Sequence, residues 1–166
     1  MAKDMFIQIT DCEGESTDKK HEKWIEIESW NWGVEQPTSG GSSTAGAITS
    51  QRVTHMPFVF TCKLDSAYVK LLKASCQGKH LKEAKVELLR ATGDGNSSLY
   101  MQFVMKDLII SRVHSGSAPD STSLPLVTVE LTYGQIEWTY TPMDHATGKT
   151  QGKITAGHNL QTNEVK

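Results

Sequence analysis

A histidine among carboxylates is the first group of residues in this chain whose types could do chemistry. His21 follows Glu15 and Asp18 and precedes Glu22, and imidazole together with carboxylate can bind a metal ion. No HxxxH or Cys–His spacing accompanies it, although such spacing is usual in metal sites. The pattern favours a histidine that forms hydrogen bonds within a charged turn, and we expect neither a metal site nor a cofactor.

Hydrolytic or phosphate chemistry is the second possibility. Asp144 and His145 could join a serine in a triad, but the GxSxG pentapeptide that presents a nucleophile does not occur. Ser16 and Lys19 match SxxK, yet the residues around them have no helical pattern. Gly93-Asp94-Gly95 lies between two predicted strands, so it lacks the helix N-terminus that binds phosphate. We therefore predict that the chain is not an enzyme.

Composition indicates one domain, residues 1–166, that binds neither nucleic acid nor membrane. With 37% hydrophobic residues, 166 residues can supply a single core. A formal charge of -2 does not fit the basic stripe of a nucleic-acid binder. No apolar run is long enough to span a membrane, and no signal peptide is recognisable after Met1. The three cysteines form no CxxC pair and fit a reducing cytoplasm.

Charge is unevenly distributed along the chain. Acidic residues predominate from 13 to 28 and basic residues from 63 to 90. Two interpretations remain open at this point. The two segments could be ordinary solvated faces, or they could form two surfaces that attract each other on neighbouring copies.

Two long alternating segments dominate the predicted secondary structure. Residues 127–140 alternate apolar and polar with one change of phase at Gly134-Gln135, and residues 24–34 do the same with a change near Glu28-Ser29. Alternation with period two indicates a strand with two unlike faces. A change of phase indicates a β-bulge, which bends the strand. The two bent strands predict a curled sheet or a barrel.

The remaining pattern adds four strands, one helix and two polar segments. Strands are predicted at residues 5–10, 58–64, 84–92 and 99–113. The helix is predicted between Asp65, an N-cap, and Gly78, with its apolar side at Tyr68, Leu71, Leu72 and Cys76. Along residues 99–113, Phe103 and Met105 are expected on one face and Leu108 and Ile110 on the other. Residues 36–56 form a long loop, and residues 144–166 a polar tail that could order against a neighbour.

Two tryptophans mark the faces of the strand over residues 24–34. Trp30 and Trp32 could stack on sugars or bases, but they share a face with Val34, so a place in the core is favoured. Asn31 lies on the opposite face.

Several motifs along the chain together resemble the sequences of one bacterial protein family. They are Met5-Phe-Ile-Gln-Ile, Gly14-Glu15-Ser16, Trp30-Asn31-Trp32-Gly33, the Gly-Ser-rich loop, Asp65-Ser66, Gly78-Lys79-His80 and Gly157-His158-Asn159-Leu160. On these residues the chain resembles the haemolysin-coregulated protein (Hcp) family of the type VI secretion system over essentially its whole length. His158 departs from the family pattern, which has a larger aromatic residue there.

The resemblance implies a phage tail-tube-like fold, in which two curled antiparallel sheets close a β-barrel flanked by one α-helix. It also implies homo-hexameric rings that stack into a tube, with a spike protein, a contractile sheath and small effector proteins as partners. The protein would be made in the cytoplasm and exported by the secretion system. On this basis Asn31 is expected to face the channel. The ring-stacking loop is expected to use Gly40, Gly41, Ser42, Ser43 and Gly46.

A different class of function stays open at this stage. A monomeric β-barrel that binds a sugar or a lipid would share the same strand pattern, but it would need a closed apolar pocket and would not assemble.

Overall fold

Strands form most of the secondary structure in the computed structural model, which describes residues 3–39, 49–91, 97–117, 124–144 and 147–166. The described residues include one helix, α1 (Ala67–Cys76). The strands are β1 (Lys3–Ile9), β2 (Ile25–Asn31), β3 (Val34–Glu35), β4 (Thr38–Ser39), β5 (Thr49–Ser50), β6 (Thr54–His55), β7 (Phe58–Lys63), β8 (Leu81–Ala91), β9 (Ser97–Gly116), β10 (Leu126–Tyr140), β11 (Ile154–Asn159) and β12 (Glu164–Val165).

Six antiparallel strands close into a barrel in the order β10-β7-β2-β1-β8-β9, because β9 returns to pair with β10. The fifteen residues of β10 make this closure possible. Its first half pairs with β7 and its second half with β11, while β9 pairs along its whole other edge. The predicted fold class, a mainly-β barrel with one flanking helix, is confirmed.

The bends predicted from phase changes are present. On β2 the pairing with β7 shifts between Ile27 and Ser29, as the sequence predicts. On β10 burial changes phase at Gly134-Gln135, but the register with β9 remains continuous there and shifts instead between Glu130 and Leu131. The register between β9 and β10 is continuous because the burial pattern of β9 changes phase at the same level, at Asp107, whose φ is +52°.

This paired change of phase corrects one predicted orientation. Leu108 and Ile110 belong to the same core cluster as Phe103 and Met105, although the sequence predicted opposite faces. The left-handed conformation of Asp107 turns the strand by one residue, so both pairs point inward.

Aromatic side chains fill the inside of the barrel. Phe58, Phe60 and Phe103 are at most 1% exposed, and Trp30 stacks on Phe58 with ring centroids 5.9 Å apart. Trp32 packs against Phe103 at 5.6 Å. The tryptophans therefore contribute to the core, as predicted.

Helix α1 covers one side of the barrel. Its N-cap is Ser66, whose side chain makes no capping hydrogen bond. The predicted N-cap, Asp65, lies one residue earlier, and its Oδ1 accepts a hydrogen bond from the Ala67 N–H at 3.0 Å. Gly78 follows its end with φ +56°, a conformation that glycine adopts without strain. The helix buries Ala67, Leu71 and Ala74, whereas Cys76 is exposed and does not belong to the predicted apolar side.

Both predicted irregular segments contain strands. Within and beside the loop over residues 36–56, β3 pairs with β6 and β4 with β5, which makes a two-stranded ribbon. In the polar tail, β11 adds to β10 and β12 adds to β11, which we call the C-terminal hairpin. No helix among the described residues has the length and apolar character to cross a membrane.

Candidate functional site

The outer surface of β2, β7, β10 and β9 is a continuous polar face. Core residues Phe58 and Phe60 alternate along β7 with Val59 and Thr61, so the second pair points away from the core. Residues directly opposite on neighbouring strands share a face. The polar face therefore consists of two cross-strand rows: Ser29, Thr61, Thr128 and His114 in the first, and Asn31, Val59, Glu130 and Arg112 in the second.

Short hydroxyl side chains and ion pairs hold this face in place. Ser29 and Thr61 share a hydrogen bond, with Oγ and Oγ1 3.0 Å apart. Arg112 Nη1 lies 3.3 Å from Glu130 Oε1. Asn31 is exposed at the end of β2, next to Val59. The sheet is thus a wall with a filled core behind it and a hydrophilic surface in front.

The five residues predicted to stack rings, Gly40, Gly41, Ser42, Ser43 and Gly46, lie outside the described residues. The ribbon that leads to them is described as far as Ser39 and resumes at Thr49. Their role stays a prediction.

His21 lies between two carboxylates and forms a structural cluster. Its Nδ1 is 2.7 Å from Asp18 Oδ1 and its Nε2 is 2.8 Å from Glu87 Oε2. The ring is 2% exposed and stacks on Phe6 with centroids 4.3 Å apart. Glu87 also accepts a hydrogen bond from Gln102 Nε2 at 2.8 Å. The predicted hydrogen-bonding histidine is confirmed, and the described residues hold no group of three or more ligands suited to a metal ion.

The candidate nucleophiles do not form a catalytic arrangement among the described residues. Ser16 is buried, and its Oγ accepts a hydrogen bond from the Asp18 N–H at 3.3 Å, within the turn. His145 lies outside the described residues. Burial raises the pKa of Cys62 to about 12, and burial first and the Asp11 charge second raise the pKa of Cys12. Both thiols therefore stay protonated at neutral pH.

The acidic and basic segments meet within one chain. Lys63 Nζ lies 3.3 Å from Glu28 Oε1, and Lys79 Nζ lies 2.8 Å from Asp11 Oδ2. A third pair joins Lys70 Nζ to Glu13 Oε2 at 3.6 Å. Part of the charge asymmetry is therefore neutralised inside the protomer, because β2 pairs with β7 and the loop after β1 lies beside α1.

A second histidine cluster was not predicted. His55, on β6, and His158, on β11, lie with Nε2 and Nδ1 2.8 Å apart. His55 also contacts Tyr133, with Nδ1 3.1 Å from the phenol oxygen. The sequence signal was His158 itself, a polar residue at a position where an aromatic residue was expected.

The fold and the site define a closed antiparallel β-barrel with a filled interior and a polar outer wall. The family model described as "Type VI secretion system effector, Hcp" matches residues 6–140. Protein hcp1 of Pseudomonas aeruginosa is 32% identical over 163 residues, which is 98% of each chain. The chain belongs to the Hcp family of type VI secretion proteins.

Solved structures agree with this assignment. A structure described as that of a type six secretion system protein is 30% identical, with a TM-score of 0.90 over 99% of this chain and 100% of that one. Hcp1 from Salmonella typhimurium is 28% identical, with a TM-score of 0.78 over 100% of both chains. The fold is thus shared over the full length of these relatives.

Proposed function

We propose that this chain is the subunit of a type VI secretion tube, in which six copies form a ring and rings stack. Membership of the Hcp family supports the secretion role. The observation that carries the tube is the polar face around Asn31. A sheet with a packed core on one side and small hydrophilic groups on the other suits the wall of a water-filled channel.

The channel-facing position of Asn31 is part of the same proposal. Asn31 is exposed, and its neighbours on the polar face are uncharged or ion-paired. Such a lining offers hydrogen bonds without a strong field of one sign, which suits a carrier of varied small effector proteins.

Contacts between copies need surface beyond the barrel itself. A stable contact buries roughly 800 Å² on each partner. Along the chain the ribbon leads to Gly40, Gly41, Ser42, Ser43 and Gly46, and these five residues are assigned to ring stacking. The spike protein, the sheath and the effectors are the further partners, and export from the cytoplasm through the secretion system is the route.

A monomeric barrel that binds a small ligand is the competing function. The filled interior argues against it, because Phe58, Phe60 and Phe103 occupy the space where a ligand would bind. Native mass spectrometry of the purified chain separates the two. A species of six chain masses is expected, and a monomer at every concentration and ionic strength tested would overturn the tube proposal.

A further inference from the structure

A chain of hydrogen bonds runs from the barrel to the C-terminal hairpin through two histidines. Trp32 Nε1 contacts the Tyr133 hydroxyl, which lies 3.1 Å from His55 Nδ1. His55 Nε2 lies 2.8 Å from His158 Nδ1, and His158 Nε2 lies 3.3 Å from Asn163 Oδ1. The imidazole rings are 4.9 Å apart, and His158 is 5% exposed.

When both imidazoles are neutral, the two ends of this chain determine where the protons lie. An indole N–H can only donate and an amide oxygen can only accept. Trp32 therefore donates to Tyr133, Tyr133 donates to His55 Nδ1, and His55 Nε2–H donates to His158 Nδ1. His158 Nε2–H then donates to Asn163. Both imidazoles are neutral in this arrangement, and every polar atom along the chain has a partner.

One added proton can be accommodated and a second cannot. If His158 carries the first proton, it donates to His55 Nε2, and His55 Nδ1–H donates to Tyr133. The Tyr133 hydroxyl can then donate to the Met56 carbonyl oxygen, 3.3 Å away. A second proton would place two N–H groups and two positive charges face to face at 2.8 Å, in a partly desolvated site.

Among the described residues, no carboxylate forms an ion pair with either imidazole to compensate for that charge. The elements packed around the pair carry other ionisable groups, and those nearest in pairing register include Glu35 on β3, Arg52 before β6, Lys106 and Asp107 on β9, Tyr133 and Glu137 on β10, and Glu164 and Lys166 at β12. Burial first, and the charge of His158 second, lower the pKa of His55 below its ordinary 6.5.

His158 is also the buried side chain of the C-terminal hairpin. Between residues 147 and 166, Gly157 and His158 are the buried residues, and only His158 has a side chain to pack. At the other end of β11, Ile154 is 63% exposed. The hairpin is therefore held by its strand pairing with β10, by His158, and by the partly buried Leu160, whose carbonyl oxygen contacts Arg52 Nη2.

We propose that the His55–His158 pair is a pH-sensitive latch, which holds the C-terminal hairpin and the base of the ribbon against the barrel when neutral. At acidic pH the second proton separates the two rings. The hairpin then opens locally while the six-stranded barrel stays closed, because neither histidine lies on a barrel strand. The proposal concerns the single chain and does not depend on ring formation.

Hydrogen exchange of the whole chain tests the latch. Amides of residues 156–160, each corrected for its intrinsic exchange rate, are compared with amides of β8 at pH 7.5 and pH 5.0. The ratio of protection is expected to fall tenfold or more, since each pH unit below the second protonation step costs about a factor of ten. An unchanged ratio would overturn the proposal.

Substitutions test whether the pH dependence of protection comes from the His55–His158 pair. His158→Gln and His55→Gln each keep a donor and an acceptor but do not titrate, so the dependence on pH should disappear. His114→Gln changes an exposed histidine on β9 and should keep the wild-type dependence. A wild-type dependence in both latch variants, or its loss in His114→Gln, would contradict the latch.

A measurement on the unmodified chain covers the case in which neither variant folds. Ring-carbon NMR shifts of His55 and His158 should titrate in two separate steps, with hairpin signals lost at the lower step. Independent titration of both rings near pH 6.5, with the hairpin intact, would refute the proposal.

Discussion

At the scale of single residues, two buried histidines are held in opposite ways. His21 has a carboxylate oxygen within 2.8 Å of each ring nitrogen. His55 and His158 contact each other and the uncharged groups of Tyr133 and Asn163. The same side chain thus fixes the first loop through carboxylates and the last hairpin through uncharged partners.

His21→Ala tests the contribution of the first of these to stability. The substitution leaves Glu87 part-buried with only Gln102 as a partner and removes the ring that stacks on Phe6. We expect a loss of about 2–4 kcal/mol in the free energy of unfolding, measured by urea denaturation. His80→Ala, at an exposed histidine, is the control and should cost less than about 0.5 kcal/mol. Equal effects would contradict the structural role.

The titration of Asp18 is a second prediction for the same cluster. The hydrogen bond from His21 is the main cause that lowers the pKa of Asp18 below its ordinary 3.8. The unfolded chain therefore takes up this proton first. The stabilisation from Asp18 is complete above pH 3.8 and is lost as the pH falls through its lower folded pKa. Carboxyl-carbon NMR should show that pKa rising in His21→Ala, and an unchanged value would rule out His21 as the cause.

At the scale of elements, the loop after β1 is fitted tightly against the start of β2. A Cβ at Gly14 would lie 2.6 Å from the Trp24 carbonyl oxygen and 2.9 Å from Ile25 Cα. Both are backbone atoms, which cannot move aside independently. The absence of a side chain at this position is what lets the charged loop pass β2 and reach α1.

Gly14→Ala should therefore displace the loop and destabilise the fold. We expect a loss of about 1–3 kcal/mol, the usual cost of overpacking, measured as a shift in the midpoint of thermal or urea unfolding. Gly152→Ala is the matched control, because nothing lies within 4 Å of its added Cβ. A tolerated Gly14→Ala would mean that the loop has more room than its contacts indicate.

At the scale of the whole molecule, the polar face has a direct chemical test. Asn31→Cys, in a chain whose exposed Cys76 is changed to Ser, should react with a small thiol reagent in assembled rings. Channel water reaches a residue that lines the wall, whereas buried Cys62 should stay unreactive. Mass spectrometry of the labelled chain measures both thiols. Protection of Asn31→Cys equal to that of Cys62 would place the residue away from the channel.

Ring stacking is tested by shortening the segment assigned to it. Deletion of residues 40–46 should leave six-fold rings intact but shorten their stacks, because the barrel and the polar face are unchanged. Electron microscopy measures stack length, and native mass spectrometry measures the ring. Replacement of Gly40 and Gly41 by serine keeps the length of the segment and serves as the comparison. This variant should shorten the stacks less than the deletion does. Loss of the rings themselves would contradict the assignment.

Local patterns determined the strands of the barrel, the helix and the bend in β2. Period-two alternation and an aspartate at the start of a helix are properties of neighbouring residues, so they can be read along the chain to within about one residue. The resemblance to the Hcp family was also carried by short motifs, and the family assignment confirms it.

Contacts between distant residues were decided only by the tertiary structure. The partners of His55, Glu87 and Lys63 lie 103, 66 and 35 positions away in the chain. The tail pattern looked polar because β11 buries just one side chain, so no alternation revealed it. The predicted face of Leu108 and Ile110 is wrong because residue 107, which adopts the left-handed conformation, is an aspartate and not a glycine, so the sequence does not indicate the turn. The sequence alone determines which secondary structure each segment favours. Closure of the barrel determines which segments pair, because strand pairing depends on the arrangement of several strands and not on any one of them.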